Sequence, residues 1–171
     1  MTYRAQPLSR RDLREHALEF RKFFNLENEL FFPVVRVLDI LTVTLEEFNY
    51  EIVEDKELPS QCHAETDVDA KCIRIRQSVY DGAYKGNGRD RMTIAHEIGH
   101  YLLLVVHSLK LHREFGEESV KAFQDPEWQA KCFAGELMVP SHLVKDLTAQ
   151  QVAQSCGVSQ QAAQYQINKC K

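Results

Sequence analysis

The sequence predicts an α+β domain: helices, then a small sheet, then helices again. Apolar residues recur at helical spacing before residue 48 and after residue 90. Between them lie short strand-like segments, "YEIVE" (50–54), "HAETDV" (63–68) and "KCIRIRQSV" (71–79). The strands are grouped between the helices, so the pattern is α+β.

The first helix runs from Arg10 to Phe24, with Leu13, Ala17, Phe20 and Phe24 on one face. Pro33 opens a second through about Phe48, burying Val34, Val37, Leu38, Leu41 and Leu45. Proline fits a first turn because its missing N–H would be unpaired there. The tight segment Asp67 to Lys71 predicts a hairpin between two of the strands, hence a small antiparallel sheet. "DGAYKGNGRDR" (81–91) reads as a loop from its Gly and Asn content. A helix over about 90–108 follows, then a short one in "EESVKAF" (117–123). Asp125 is a natural N-cap with Pro126 in the first helical position, and Pro140 stops that helix. From Ser141 on, two short helices meet at a Cys156-Gly157 turn. The expected organisation is a domain over 1–140 and a helical, helix-turn-helix-like segment over 141–171 packed on it.

The chain has 171 residues, 44% of them hydrophobic, and a net charge of −4. That suits one compact domain with a real core and argues against nucleic acid as the main partner. "YLLLVV" is too short to span a membrane, and the N-terminus lacks the apolar stretch of a signal peptide. The expected location is the cytoplasm. The five cysteines include no close pair, so reduced, mostly buried thiols are expected and a cysteine-based zinc site is not.

The chemistry concentrates in "RMTIAHEIGHYLLL" (91–104). Residues four apart on a helix are nearly superposed, about 6 Å apart along the axis. His96 and His100 can therefore aim both imidazoles at one zinc ion, which lowers the pKa of a bound water to about 7. Glu97 lies beside them as a general base. A chance pair of histidines would sit on a solvated face. Here the flanks are apolar, and burying these groups unpartnered would cost several kcal/mol, on the order of 2–7 for each polar group. Gly99 in mid-helix requires a packing or access reason.

A catalytic zinc needs a third protein ligand. His107 is two turns beyond His100, so a continuous helix cannot return it, and His112 would need a sharply returning loop. Glu117, Glu118, Glu127 and Glu136 remain. On the helix after Asp125, Glu127 falls with Ala130, Ala134, Leu137 and Met138 on the stripe expected to face the core. Glu136 falls on the opposite side, facing solvent or a helix neighbour. The wheel favours Glu127, with small Ala130 and Ala134 allowing close approach to the histidine helix. The plainer role for Glu127 is an acid that favours the first helical turn.

"RDRMTIAHEIGHYLL" followed by "EWQAKCFAGELMVP" resembles the ImmA/IrrE family of zinc metallopeptidases, over about residues 89–140. The resemblance implies His96, His100 and Glu127 as zinc ligands, Glu97 as general base, and a gluzincin-like core of two helices meeting at the metal. Met92 replaces a usual Phe, and Lys131 an Asn or Asp. It also implies a specific regulatory substrate of repressor or antitoxin type, often linked to mobile elements. The strand at 71–79 is then expected to be an edge that takes an extended substrate by strand addition. Tyr80, Tyr84 and Tyr101 are candidates to stabilise an oxyanion, with core packing as the plainer role for each.

The tail, "TAQQVAQSCGVSQQAAQYQINK" (148–169), has Ser159 as an N-cap but only Lys169 as a basic residue in its second helix. Phosphate binding needs several, so packing on the core or on a partner protein is expected. Two other functions compete with the peptidase: a non-catalytic metal protein that binds and antagonises a repressor, and a DNA-binding regulator acting through the tail. An intact Glu97 favours the enzyme.

Overall fold

The computed structural model describes residues 2–106, 112–114 and 120–171, with side chains from residue 4 onward except at 112–114. The elements are β1 (Thr2–Arg4), α1 (Arg10–Phe23), α2 (Val34–Thr44), β2 (Asn49–Val53), β3 (Ala64–Asp67), β4 (Cys72–Arg76), α3 (Gln77–Tyr84), α4 (Gly88–Tyr101), β5 (His112–Glu114), α5 (Pro126–Met138), α6 (Ala149–Cys156) and α7 (Gln160–Lys169). The fold is α+β. Among the described residues, no helix is long and apolar enough to cross a membrane.

The sheet is mixed rather than antiparallel. Its order is β2-β4-β3, with β4 antiparallel to β3 and parallel to β2. The hairpin turn at Asp67–Lys71 is as expected, but β4 is central, not an edge. Its composition explains this: Cys72, Ile73 and Ile75 are all buried, whereas β2 buries only Val53. β3 is an edge. A separate two-stranded antiparallel pairing joins β1 to β5.

α1 begins with a full capping box, in which the Ser9 hydroxyl accepts from the Asp12 amide and the Asp12 carboxylate accepts from the Ser9 amide. α2 ends at Thr44 rather than near Phe48. The run Thr42-Val43-Thr44 is β-branched and weakly helical, and Phe48 enters the core on its own, edge-on to Tyr101 with ring centroids 4.7 Å apart. The stretch expected to be strand and then loop holds α3 instead. Val79 and Ala83, one turn apart, are buried and fix that helix on the core.

α4 and α5 form the centre. Gly99 in α4 faces α5 so closely that a Cβ would lie 3.1 Å from the Phe133 ring and 3.2 Å from the Ala130 carbonyl. Its role is helix packing. α4 continues into a π-helical turn, Leu102–Val106; residues 107–108 of the expected helix lie outside the described residues. Of the short helix expected at 117–123, residues 117–119 lie outside them too, and Ala122–Gln124 is a 3-10 turn.

The tail packs on this centre. A Cβ at Gly88 would lie 2.7–2.9 Å from the backbone of Val158 and Ser159. Arg91, 2% exposed, donates to the carbonyls of Gly157 (2.9 Å), Cys156 (3.2 Å) and Phe32 (2.9 Å). A buried guanidinium requires partners of this kind, and desolvation still lowers its pKa to about 10. Val152, Cys156, Val158 and Ala163 join the same apolar core as α4 and α5. All five cysteines are free, and burial pushes the thiols of Cys132 and Cys156 up to about 11.

Candidate metal centre

A cleft of about 1040 Å³ runs between α4, the start of α5 and the segment 61–66 that enters β3. His96 and His100 project into it from successive turns of α4, with their rings perpendicular and 4.6 Å apart. Asn87 starts that helix by accepting from the Asp90 amide. Asp125 starts α5, and its carboxylate accepts from the Glu127 amide at 3.0 Å. This cap sets Glu127 in the first turn, opposite the two histidines.

The three groups converge. His96 Nε2 lies 3.1 Å from Glu127 Oε2 and 3.1 Å from His100 Nε2, and His100 Nε2 lies 3.0 Å from Glu127 Oε1. A tetrahedral ion with bonds of about 2.0–2.1 Å holds its donors roughly 3.3–3.4 Å apart. The spacing is therefore close to that of a ligand set, and the trio could hold a metal ion. The electrostatics agree. The hydrogen bonds from His100 and His96 hold Glu127 well below the usual carboxylate range. Burial alone would lower the His100 pKa, but the Glu127 hydrogen bond and the charges of Glu97 and Glu127 outweigh it and leave it raised. A cluster that attracts protons this way offers the same attraction to a cation.

Glu97 is buried beside this trio and is not part of it. Its Oε2 accepts from the Thr66 hydroxyl of β3 at 2.7 Å. Burial raises its pKa, against the lowering pull of Thr66, His100 and His96, and the net shift is upward.

All four residues expected at the site thus share one cleft. The wheel argument for Glu127 was nevertheless incorrect about exposure. The Glu127 side chain is 63% exposed, whereas Glu136 is fully buried. Glu136 accepts from Arg10 at 3.0 Å and from Arg14 at 2.9 Å, so two cations from α1 neutralise it. His107, Glu117 and Glu118 lie outside the described residues, as does the side chain of His112. The tyrosines do not line the cleft. Tyr101 packs on Phe48, Tyr80 stacks on Tyr50 at 6.4 Å, and Tyr84 is 76% exposed.

Sequence reasoning missed Thr66 and the placement of β3. Ala64 and Thr66, two apart on a strand, share a face, and both line the cleft with Glu65. The alternation was visible, but not which helix it would meet. The α4 and α5 side also presents Arg89, Thr93 and Lys131.

The family model for the IrrE N-terminal-like domain, Peptidase_M78, matches residues 61–168. The matched stretch runs from the first residue lining the cleft into α7. No curated protein and no solved structure matches the chain.

Proposed function

Because the chain belongs to the IrrE N-terminal-like peptidase family, we propose that it is a zinc-dependent endopeptidase that cleaves a specific regulatory protein of repressor type. The observation that carries this reading is the convergence of two imidazole nitrogens and one carboxylate at 3.0–3.1 Å beside a buried, separate glutamate. Two neutral imidazoles and a carboxylate are a donor set of catalytic zinc, which leaves a fourth position open. His96, His100 and Glu127 would hold the ion. When bound, zinc supplies Lewis acidity, acidifying a water and polarising a carbonyl.

The remaining work falls to the chain. Glu97 takes the proton of the attacking water and returns it to the leaving amine. Its raised pKa brings it nearer to neutral pH, which improves a group that must both accept and deliver. Thr66 engages Oε2 and fixes the carboxylate plane, leaving Oε1 for the proton. The edge strand β3 borders the cleft, so an extended substrate would pair along it, rather than along β4, and pass its carbonyl across the metal centre. Folded proteins offer few segments that can extend this way, chiefly exposed loops and linkers. A single cut in a regulatory protein follows from that.

The test is to incubate the zinc-loaded protein with casein and with candidate repressor proteins encoded near its gene, reading products by mass spectrometry. One cut in the repressor, absent with Glu97→Gln, is expected. Rapid many-site digestion of casein would contradict specificity. Tight repressor binding with no cut, unchanged in Glu97→Gln, would contradict catalysis.

A further inference from the structure

We propose that a groove beside the metal centre, walled by the tail helix α7, is a specificity pocket for one large apolar side chain of the substrate. The inference rests on the peptidase reading above. The groove measures about 330 Å³ and shares His96 and Lys131 with the metal cleft, so it opens directly beside a metal-ligating side chain. That is the low end of ligand sites, roughly 300–1,000 Å³. It has ample room for one large apolar side chain.

Its walls fix the chemistry of the guest. Met92 comes from α4, Ala134 and Gly135 from α5, and Ala162 and Tyr165 from α7. Ala162 and Tyr165, three apart, share one helix face. The small residues keep the space open, while the Met92 thioether and the tyrosine ring offer apolar contact. Among the described residues no carboxylate lines the groove, so it offers a cationic guest no anionic partner; Lys131, Ser159 and Gln161 belong to its polar lining. Tyr165 is 52% exposed, a large ring left at the rim.

This wall is also held in place. Arg10 donates to Glu136 at 3.0 Å and to Tyr165 Oη at 3.4 Å, bridging α5 and α7. Gln166 fits against Gly135, where a Cβ would lie 2.6 Å from its Oε1. Such a wall is preorganised, and preorganisation is what converts apolar contact into selectivity. It gives the tail a role in substrate choice that involves no nucleic acid.

The test uses peptide hydroxamates, which chelate zinc and need no catalysis. One set carries an isobutyl group on either side of the chelating group; its unsubstituted parents are the reference. The readout is the ratio of their affinities, measured by calorimetry on the zinc-loaded full chain. Seating the isobutyl group should favour at least one substituted compound by at least about tenfold, the scale of apolar side-chain discrimination. Ala162→Phe fills the groove and should bring that ratio near one. Tyr165→Ala opens the rim at an exposed position and should reduce the ratio by several-fold, a second variant with little risk to folding. Zinc and hydroxamate binding with a ratio near one in the wild type would overturn the pocket and leave the peptidase reading standing. So would an unchanged ratio in both variants. An isobutyl preference that the variants remove, without any peptide cleavage, would support the pocket and remove the peptidase reading. Absence of zinc uptake would remove both.

Discussion

The two glutamates of α5, nine residues apart, show what a carboxylate does with and without its own cations. Glu136 is buried against Arg10 and Arg14, and its charge is met within the fold. Glu127 is mostly exposed and faces the imidazoles of His96 and His100 across the cleft rather than arginines. The buried acid is structural because it is complete. The exposed one is the candidate ligand because its neighbours can share a metal ion with it. Burial alone would have pointed to Glu136 instead.

The largest effect expected from the site is catalytic. Glu97→Gln should keep the metal and lose about 10²–10⁴-fold in kcat/KM, the usual share of a positioned acid–base group. Steady-state cleavage with parallel metal analysis checks this, and loss of zinc in the variant would make Glu97 a ligand.

The next effect belongs to the other glutamate. Glu136→Ala leaves two arginines without their acid. Removing one member of a buried pair costs about 3–5 kcal/mol. Arg10 and Arg14 remain 20% and 34% exposed and can rehydrate, so about 2–3 kcal/mol is expected. That corresponds to a melting temperature lower by roughly 5–10 °C. Glu127→Ala should move the melting temperature of the metal-free protein much less. Calorimetric melts of both variants would expose an inverted order.

A smaller effect is on pH. Metal binding requires neutral imidazoles, and the His100 pKa is raised. Protons therefore compete already above the ordinary imidazole range, and zinc affinity should fall as pH drops through it. Glu127, held low, stays ionised there and adds nothing to the slope. Titrations between about pH 8 and about pH 5.5 should show roughly tenfold weaker binding per pH unit, per proton displaced, below that pKa. A flat profile would argue against His100 as a ligand.

The smallest effect is at Thr66. Thr66→Val removes a hydrogen bond that lowers the Glu97 pKa. The base must be ionised, so a further rise moves the acid limb of the activity profile to higher pH. An unmoved limb would mean that Thr66 does not position the base.

Much of this was legible in local patterns. Caps at Asp125 and Ser159 and the i, i+4 histidines depend on residues within one turn of each other, and each is present as expected. What was not legible depends on distant partners. The burial of Glu136 is decided by arginines 122 and 126 residues away. Glycines at 82, 86 and 88 read as a loop, although Gly82 lies within α3 and Gly88 starts α4. The central place of β4 reflects which strand buries more apolar surface, which only the assembled sheet reveals.

If His96, His100 and Glu127 hold one zinc, the two glutamates of α5 reveal it most directly. Zinc affinity of the reloaded wild type, Glu127→Ala and Glu136→Ala can be measured by competition with a chromophoric chelator. One zinc should bind the wild type and Glu136→Ala alike. Glu127→Ala should bind it more weakly by over about 100-fold, beyond the 10–100-fold typical of residues that only support a ligand. Equal affinity in Glu127→Ala, or a loss confined to Glu136→Ala, would contradict the account.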